Sequence, residues 1–219
     1  MKTQYRRNNL PHIHPIGAAF SVTTIVHDAV PAGKIAKLKE ERDRQIAILQ
    51  SQQIPVVAQE IAQVSMRFEQ DLELLLAEKR EQEHPFRDAG AALAVLRRVG
   101  LYHGELYHCH AACVMSNHLH LLLDLSVQLP EGWAFGEEIP DYHSLAEVMR
   151  KIKGGSANVV NRLVGRKGPL WEKGYYDRFI RSVRHFRQAY GYILNNPVKA
   201  GVVRDWRDYP YIFCPSEGK

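Results

Sequence analysis

Two short patterns carry the side chains best suited to chemistry: His118 and His120 on either side of Leu119, and Tyr192 four residues before Asn196. On a strand, successive side chains alternate between faces, so both imidazoles of such a triplet project together while Leu119 and Leu121 turn into a core. Paired neutral imidazoles on a rigid strand suit a divalent metal. In a helix, a four-residue step is about one turn and puts Tyr192 and Asn196 on one face, provided the helix reaches Asn196 before Pro197 stops it. A phenol can form a covalent intermediate by attacking a metal-bound phosphate, and an Asn carbonyl oxygen can complete the shell of that metal. Tyr190 is the poorer nucleophile, because Leu194, four residues on, makes its face apolar.

Blander readings stand beside these. Tyr192 could be an ordinary packing tyrosine. His108 and His110 form a second such pair, which either joins His118 and His120 in a four-histidine cluster or consists of satisfied sheet histidines. With Asp124 closing the second strand, a zinc hydrolase that activates water is conceivable. There is no H-E-x-x-H and no cysteine pair at zinc-finger spacing. Cys109, Cys113 and Cys214 are odd in number and follow no disulfide spacing, which fits a reducing compartment; the first two read as small buried side chains.

These side chains need strands and helices to hold them. Residues 18–26, rich in β-branched side chains, read as a strand, and Pro31 and Gly33 as the turn after it. Ile35, Leu38, Ile46 and Leu49 form one helical stripe; after Pro55, Val57, Ile61, Val64, Phe68, Leu72 and Leu75 form another. The pair either packs as partner helices or simply covers a sheet. Ala91 to Val99 predicts a further helix. Residues 106–115 and 118–123 fit a hairpin around Ser116 and Asn117, or a single bulged strand. Residues 125–141 read as a loop. Two helices, 142–153 and 157–164, are expected on either side of Gly154 and Gly155, then a short strand near 176–180 and a helix over 183–194. The aromatic tail, with Trp206, Tyr209, Tyr211 and Phe213, should pack back onto the body.

The 219 residues fit one domain with a sizeable insertion, and a 45% hydrophobic content is enough for a core rather than a disordered chain. No apolar run reaches the roughly 18 residues of a membrane helix, and no signal-peptide pattern opens the chain, so a cytosolic protein is expected. Charge is unevenly spread. Residues 34–84 carry a net −2, whereas residues 150–181 carry a net +7. That basic segment, with Lys151, Lys153, Arg162, Arg166, Lys167, Lys173, Arg178 and Arg181, either binds a polyanion such as nucleic acid or is a solvated positive face. Trp171, Tyr175 and Tyr176 within it could stack on unpaired bases.

Four segments, YRRNNLPHIHPIGAAFSVTTIV, CVMSNHLHLLL, GPLWEKGYYDRFIRS and YILNNPVKAGVV, resemble in order and spacing those of the single-tyrosine, HUH-type transposases. The REP-associated tyrosine transposases are the nearest of these. The resemblance spans nearly the full chain. It implies an α+β fold: an antiparallel sheet with helices packed on one face, a ferredoxin-like or RRM-like nuclease core, a helical insertion over about 34–84 and an aromatic tail over about 203–219. It also implies a Mg²⁺ or Mn²⁺ ion held by His118, His120 and Asn196, and Tyr192 as nucleophile. The implied reaction cleaves single-stranded DNA at a hairpin or palindromic repeat through a 5'-phosphotyrosine and passes the strand on, in a monomer or a homodimer. The alternative is a hairpin-binding protein of the same fold that does not cleave. Serine stands at 116 where the family has proline, and the YPYIF ending departs from the usual one.

Overall fold

The computed structural model describes residues 14–51, 57–78, 84–134 and 136–215. The opening motif up to residue 13 and Pro55 lie outside them. Among the described residues, five strands form one sheet: β1 (Ala19–Ile25), β2 (His108–Val114), β3 (His118–Asp124), β4 (Tyr176–Phe179) and β5 (Ile212–Phe213), in the order β4-β1-β3-β2-β5. Every pairing is antiparallel. β1 and β2 therefore run the same way with β3 between them, which is the split βαβ arrangement of ferredoxin-like folds. β2 and β3 form a hairpin rather than one bulged strand. Its turn is Ser116–Asn117, closed by the Met115 amide donating to the His118 carbonyl (2.9 Å), and a bulge between Cys109 and Ala111 lies at its far end.

One face of the sheet carries Leu119, Leu121 and Leu123, all fully buried beneath α3 (Ala89–Gly100) and α4 (Leu145–Leu163). Burying such a side chain stabilises the fold by roughly 1.5–3 kcal/mol. Asp88 caps α3 by accepting from the Ala91 amide, and Ser144 and Glu147 form a reciprocal capping box at the start of α4. α4 corrects the expectation of two helices, because it runs unbroken through Gly154 and Gly155. The reason is a neighbour. A Cβ at Gly155 would stand 2.0 Å from the guanidinium of Arg98, which donates to the Lys151 carbonyl (3.0 Å) and to the Tyr102 hydroxyl (2.7 Å). Glycine here makes room for an α3–α4 contact and does not break the helix.

The other face carries Ala111, Cys113 and Leu122, which pack against Ala189 and Ile193 of α5 (Val183–Leu194). The aromatic tail does pack back: the Tyr209 hydroxyl donates to the Val114 carbonyl (2.9 Å), and β5 adds a strand that the residue pattern does not announce. The 34–78 region is a pair of helices, α1 (Ala32–Ser51) and α2 (Val57–Glu78), packed on each other. Phe68, Leu72 and Leu76, one turn apart along α2, are buried in the same core as β1, so both expectations for this pair are met at once.

Candidate active site

Period two places the site. Cross-strand neighbours share a face, and the register pairs Thr23 with His120, Ser21 with Arg178 and Thr23 with Tyr176. His118, His120, Ser21, Thr23, Tyr176 and Arg178 therefore point to the α5 side of the sheet. The two imidazoles are buried (0% and 2% exposed), with ring centroids 4.7 Å apart. Each Nδ1 has a partner: His118 Nδ1 is 2.7 Å from Asn117 Oδ1, and His120 Nδ1 is 2.9 Å from the Thr23 hydroxyl. The two Nε2 atoms are thereby aimed at one point.

At that point stands Glu73 of α2, a residue the sequence reading does not single out. Its Oε1 lies 2.8 Å from His120 Nε2 and its Oε2 3.6 Å from His118 Nε2. Among the described residues, Glu73, His118 and His120 form a group whose ligand atoms all lie within 4.8 Å of one another, a donor set that fits a divalent ion. Burial works against the Glu73 carboxylate, yet the adjacent His118 and His120, followed by hydrogen bonds from His120 and Asn196, hold its pKa well below the usual range.

Asn196 also reaches the site. α5 ends at Leu194, and Asn196 opens the short α6 (Asn196–Lys199). Asn196 is buried, with Nδ2 3.1 Å from His120 Nε2 and donating to Glu73 Oε2 at 3.4 Å. Tyr192 completes the group. Its ring meets His120 edge-on at 5.7 Å, and the Lys199 ammonium lies 4.3 Å from its centroid. Burial, then the negative charges of Glu73 and Glu69, raise the Tyr192 pKa far above that of a free phenol. The nucleophile candidate is thus held protonated.

A cleft of about 230 Å³ opens beside these groups, walled by α1, α2, β1, β4 and α5. Arg42, Phe68, Tyr176, Arg178, Arg181 and Tyr192 line it. Arg178 pairs with Glu69 across it (3.1 Å), and Phe68 packs on Tyr176 at 5.3 Å. The basic segment therefore divides. Arg178, Arg181 and Tyr176 reach the cleft. Lys151, Lys153 and Arg162 lie on α4, on the sheet's other side, with Arg166 and Lys167 just after it. Several residues of the segment have internal roles. The Lys153 ammonium donates to the carbonyls of Glu172 and Gly174, and Trp171 is buried, its indole donating to Ser156 (3.0 Å) and its ring against Phe86. This corrects the reading of Trp171 as a base-stacking surface, because core packing occupies its ring. Arg166 donates to the His27 carbonyl, Tyr175 packs against the core, and Lys173 is exposed.

His108 and His110 do not join the site. They sit at the far end of the hairpin, where His108 pairs with Asp124, and His110 lies 3.6 Å from the Asp124 carboxylate with its ring against Phe186. Cys109 and Cys113 are buried free thiols, as expected, and Tyr190 turns its hydroxyl to Cys214. Among the described residues, no helix is long and apolar enough to cross a membrane.

No family model matches the chain. A Haemophilus influenzae protein named for the REP-associated tyrosine transposases is 27% identical over 104 residues, a match covering 46% of this chain and 55% of that relative. A solved structure of a REP-associated tyrosine transposase bound to a REP hairpin covers 95% of this chain and 81% of its own, at 16% identity and a TM-score of 0.45. The family that the sequence motifs resemble is thus the one to which this chain is similar: the REP-associated tyrosine transposases.

Proposed function

We propose that this protein cleaves single-stranded DNA beside a hairpin and passes the strand on, with Tyr192 as nucleophile and Glu73, His118 and His120 as the metal-holding group. The observation that carries this reading is convergence. Strand β3, helix α2 and helix α5, distant in sequence, bring two imidazoles, a carboxylate and a phenol together, with His120, Glu73 and Tyr192 lining the cleft. A packing tyrosine has no need of that company. The resemblance assigns the third ligand to Asn196, but Glu73 is the better donor here, because it carries charge and both its oxygens face imidazole nitrogens. Asn196 then orients Glu73 through its amide.

In the proposed reaction the Tyr192 oxygen bonds to phosphorus as the bond from phosphorus to the 3' oxygen breaks. The products are a 5'-phosphotyrosine and a free 3'-hydroxyl, which receives the phenolic proton. A second 3'-hydroxyl can reverse the step without an external energy source, since the covalent link conserves the ester. When bound, a divalent metal supplies charge that polarises the scissile phosphate and offsets the carboxylates that keep the phenol protonated. The chain's own part is positional: α5 aims the phenol, Thr23 and Asn117 orient the imidazoles, and Arg178 and Arg181 offer charge to a backbone entering the cleft.

Replacing both His118 and His120 by Ala tests the reading. Calorimetric Mn²⁺ binding and the denaturation-resistant adduct formed with a labelled single-stranded hairpin should both disappear. Wild-type stoichiometry and affinity in the variant would refute the site. Hairpin binding by the wild type with Mn²⁺ and no adduct would instead identify a hairpin-binding protein that does not cleave.

A further inference from the structure

Asn117 occupies the tight turn between β2 and β3, yet it is fully buried, whereas turn residues ordinarily lie at the surface. Both ends of its amide are engaged. Nδ2 donates to the Leu76 carbonyl at 2.9 Å, and Oδ1 is 2.7 Å from His118 Nδ1. Its backbone carbonyl accepts from the Val26 amide, just past β1, at 2.9 Å. Leu76 is in the last turn of α2, where carbonyls lack partners within their own helix.

These contacts fix more than a turn. A carbonyl only accepts, so the amide must present Nδ2 to Leu76 and Oδ1 to His118. An amide oxygen also only accepts, so His118 Nδ1 must carry a hydrogen. In the neutral ring the lone pair then falls on Nε2, the atom that faces Glu73. Leu76 is also three residues beyond Glu73, about one turn along the same helix. One side chain thus sets the tautomer of one ligand and the seat of the helix that carries another.

We propose that Asn117 is a positioning residue that assembles the metal-holding group: it selects the ligand-ready tautomer of His118 and docks α2 so that Glu73 reaches the histidines. This inference rests on reading Glu73, His118 and His120 as metal ligands. Asn117→Asp separates its two halves, since the carboxylate still accepts from His118 Nδ1 but has no donor for the Leu76 carbonyl.

The test is a double-mutant cycle of Asn117→Asp and Glu73→Gln, read as Mn²⁺ affinity by calorimetry and as amide exchange over residues 57–78. Asn117→Asp should weaken Mn²⁺ by about 10–100-fold, as loss of an orienting partner does at metal sites, and speed exchange in α2. The double variant should bind no more weakly than Glu73→Gln alone, because docking of α2 acts through Glu73. Additive losses, or unchanged affinity in Asn117→Asp, would overturn the proposal, and a general loss of packing would give additive losses. Nitrogen NMR of the metal-free wild type provides a reading that does not depend on the variant folding: hydrogen on His118 Nδ1 supports the proposal, and the lone pair on Nδ1 overturns it. Failure of the wild type to bind Mn²⁺, with hydrogen on Nδ1, would reject the ligand reading and with it the metal-assembling role of Asn117.

Discussion

Thr23→Val removes one hydroxyl from beneath the candidate metal-holding group while leaving shape and strand preference nearly unchanged. The Thr23 oxygen is 2.9 Å from His120 Nδ1, and a hydroxyl can donate or accept. It therefore serves His120 in either tautomer. It donates to Nδ1 when the Nε2 hydrogen points to Glu73, and accepts from Nδ1 when Nε2 turns its lone pair to a metal. Valine does neither. Loss of an orienting partner costs a metal site about 10–100-fold in affinity, or about 1.4–2.8 kcal/mol at about 1.4 kcal/mol per decade. Leaving a buried imidazole nitrogen without a partner costs about 1–3 kcal/mol in folding stability. Mn²⁺ titration by calorimetry and urea unfolding of the metal-free protein should show both losses. Unchanged Mn²⁺ affinity with reduced stability would refute the reasoning, because it would mean that His120 is packed through Thr23 but does not hold the ion.

Two other predictions concern the frame around the site. Gly155→Ala should gain about 1 kcal/mol of helix propensity but displace Arg98, whose two hydrogen bonds are worth about 1.5–3 kcal/mol each as charged donors; net destabilisation by urea unfolding is expected, and a stabilised variant would contradict the account of α4. His185 accepts from the Arg181 amide and is held neutral, its pKa pushed down to about 4 by burial, then by Arg178 and Arg181. Its unfolded pKa is near 6.5, so the unfolded chain takes up the proton first. Stability from this residue is complete above pH of about 6.5 and is lost as pH falls through about 4. Thermal melts of His185→Gln should depend less on pH in that window than those of the wild type, and identical slopes would contradict the assignment.

Periodicity made much of the frame legible. The alternation in His118–Leu123 gives the strand, its faces and the shared aim of both histidines, and the run from Val183 to Leu194 gives the helix of the candidate nucleophile, with Pro197 near its end. Gly154 and Gly155 misled because glycine signals backbone freedom, and no local pattern shows that a distant Arg98 needs the vacant Cβ position. Glu73 was hidden for a related reason. It is one of ten acidic residues between 34 and 84, and any of them could belong to a solvated helix face. A weak signal did exist: Glu69 and Glu73 each follow a residue of the stripe Phe68, Leu72 and Leu76, so they lie at the edge of the buried face rather than opposite it. Asn117 read only as turn chemistry, since hydrogen bonds to a helix 41 residues away have no sequence period. The basic run from 150 to 181 spans both sides of a sheet, and charge counted along a chain cannot distinguish them.

The central claim is that Tyr192 is the residue that takes the DNA. Wild-type protein incubated with Mn²⁺ and a labelled single-stranded hairpin, denatured, digested and sequenced by mass spectrometry, should carry the 5'-phosphate on the peptide containing Tyr192, and Tyr192→Phe should bind the hairpin without any adduct. A phosphate mapped to Tyr190 or another residue, or an equal adduct yield from Tyr192→Phe, would contradict it.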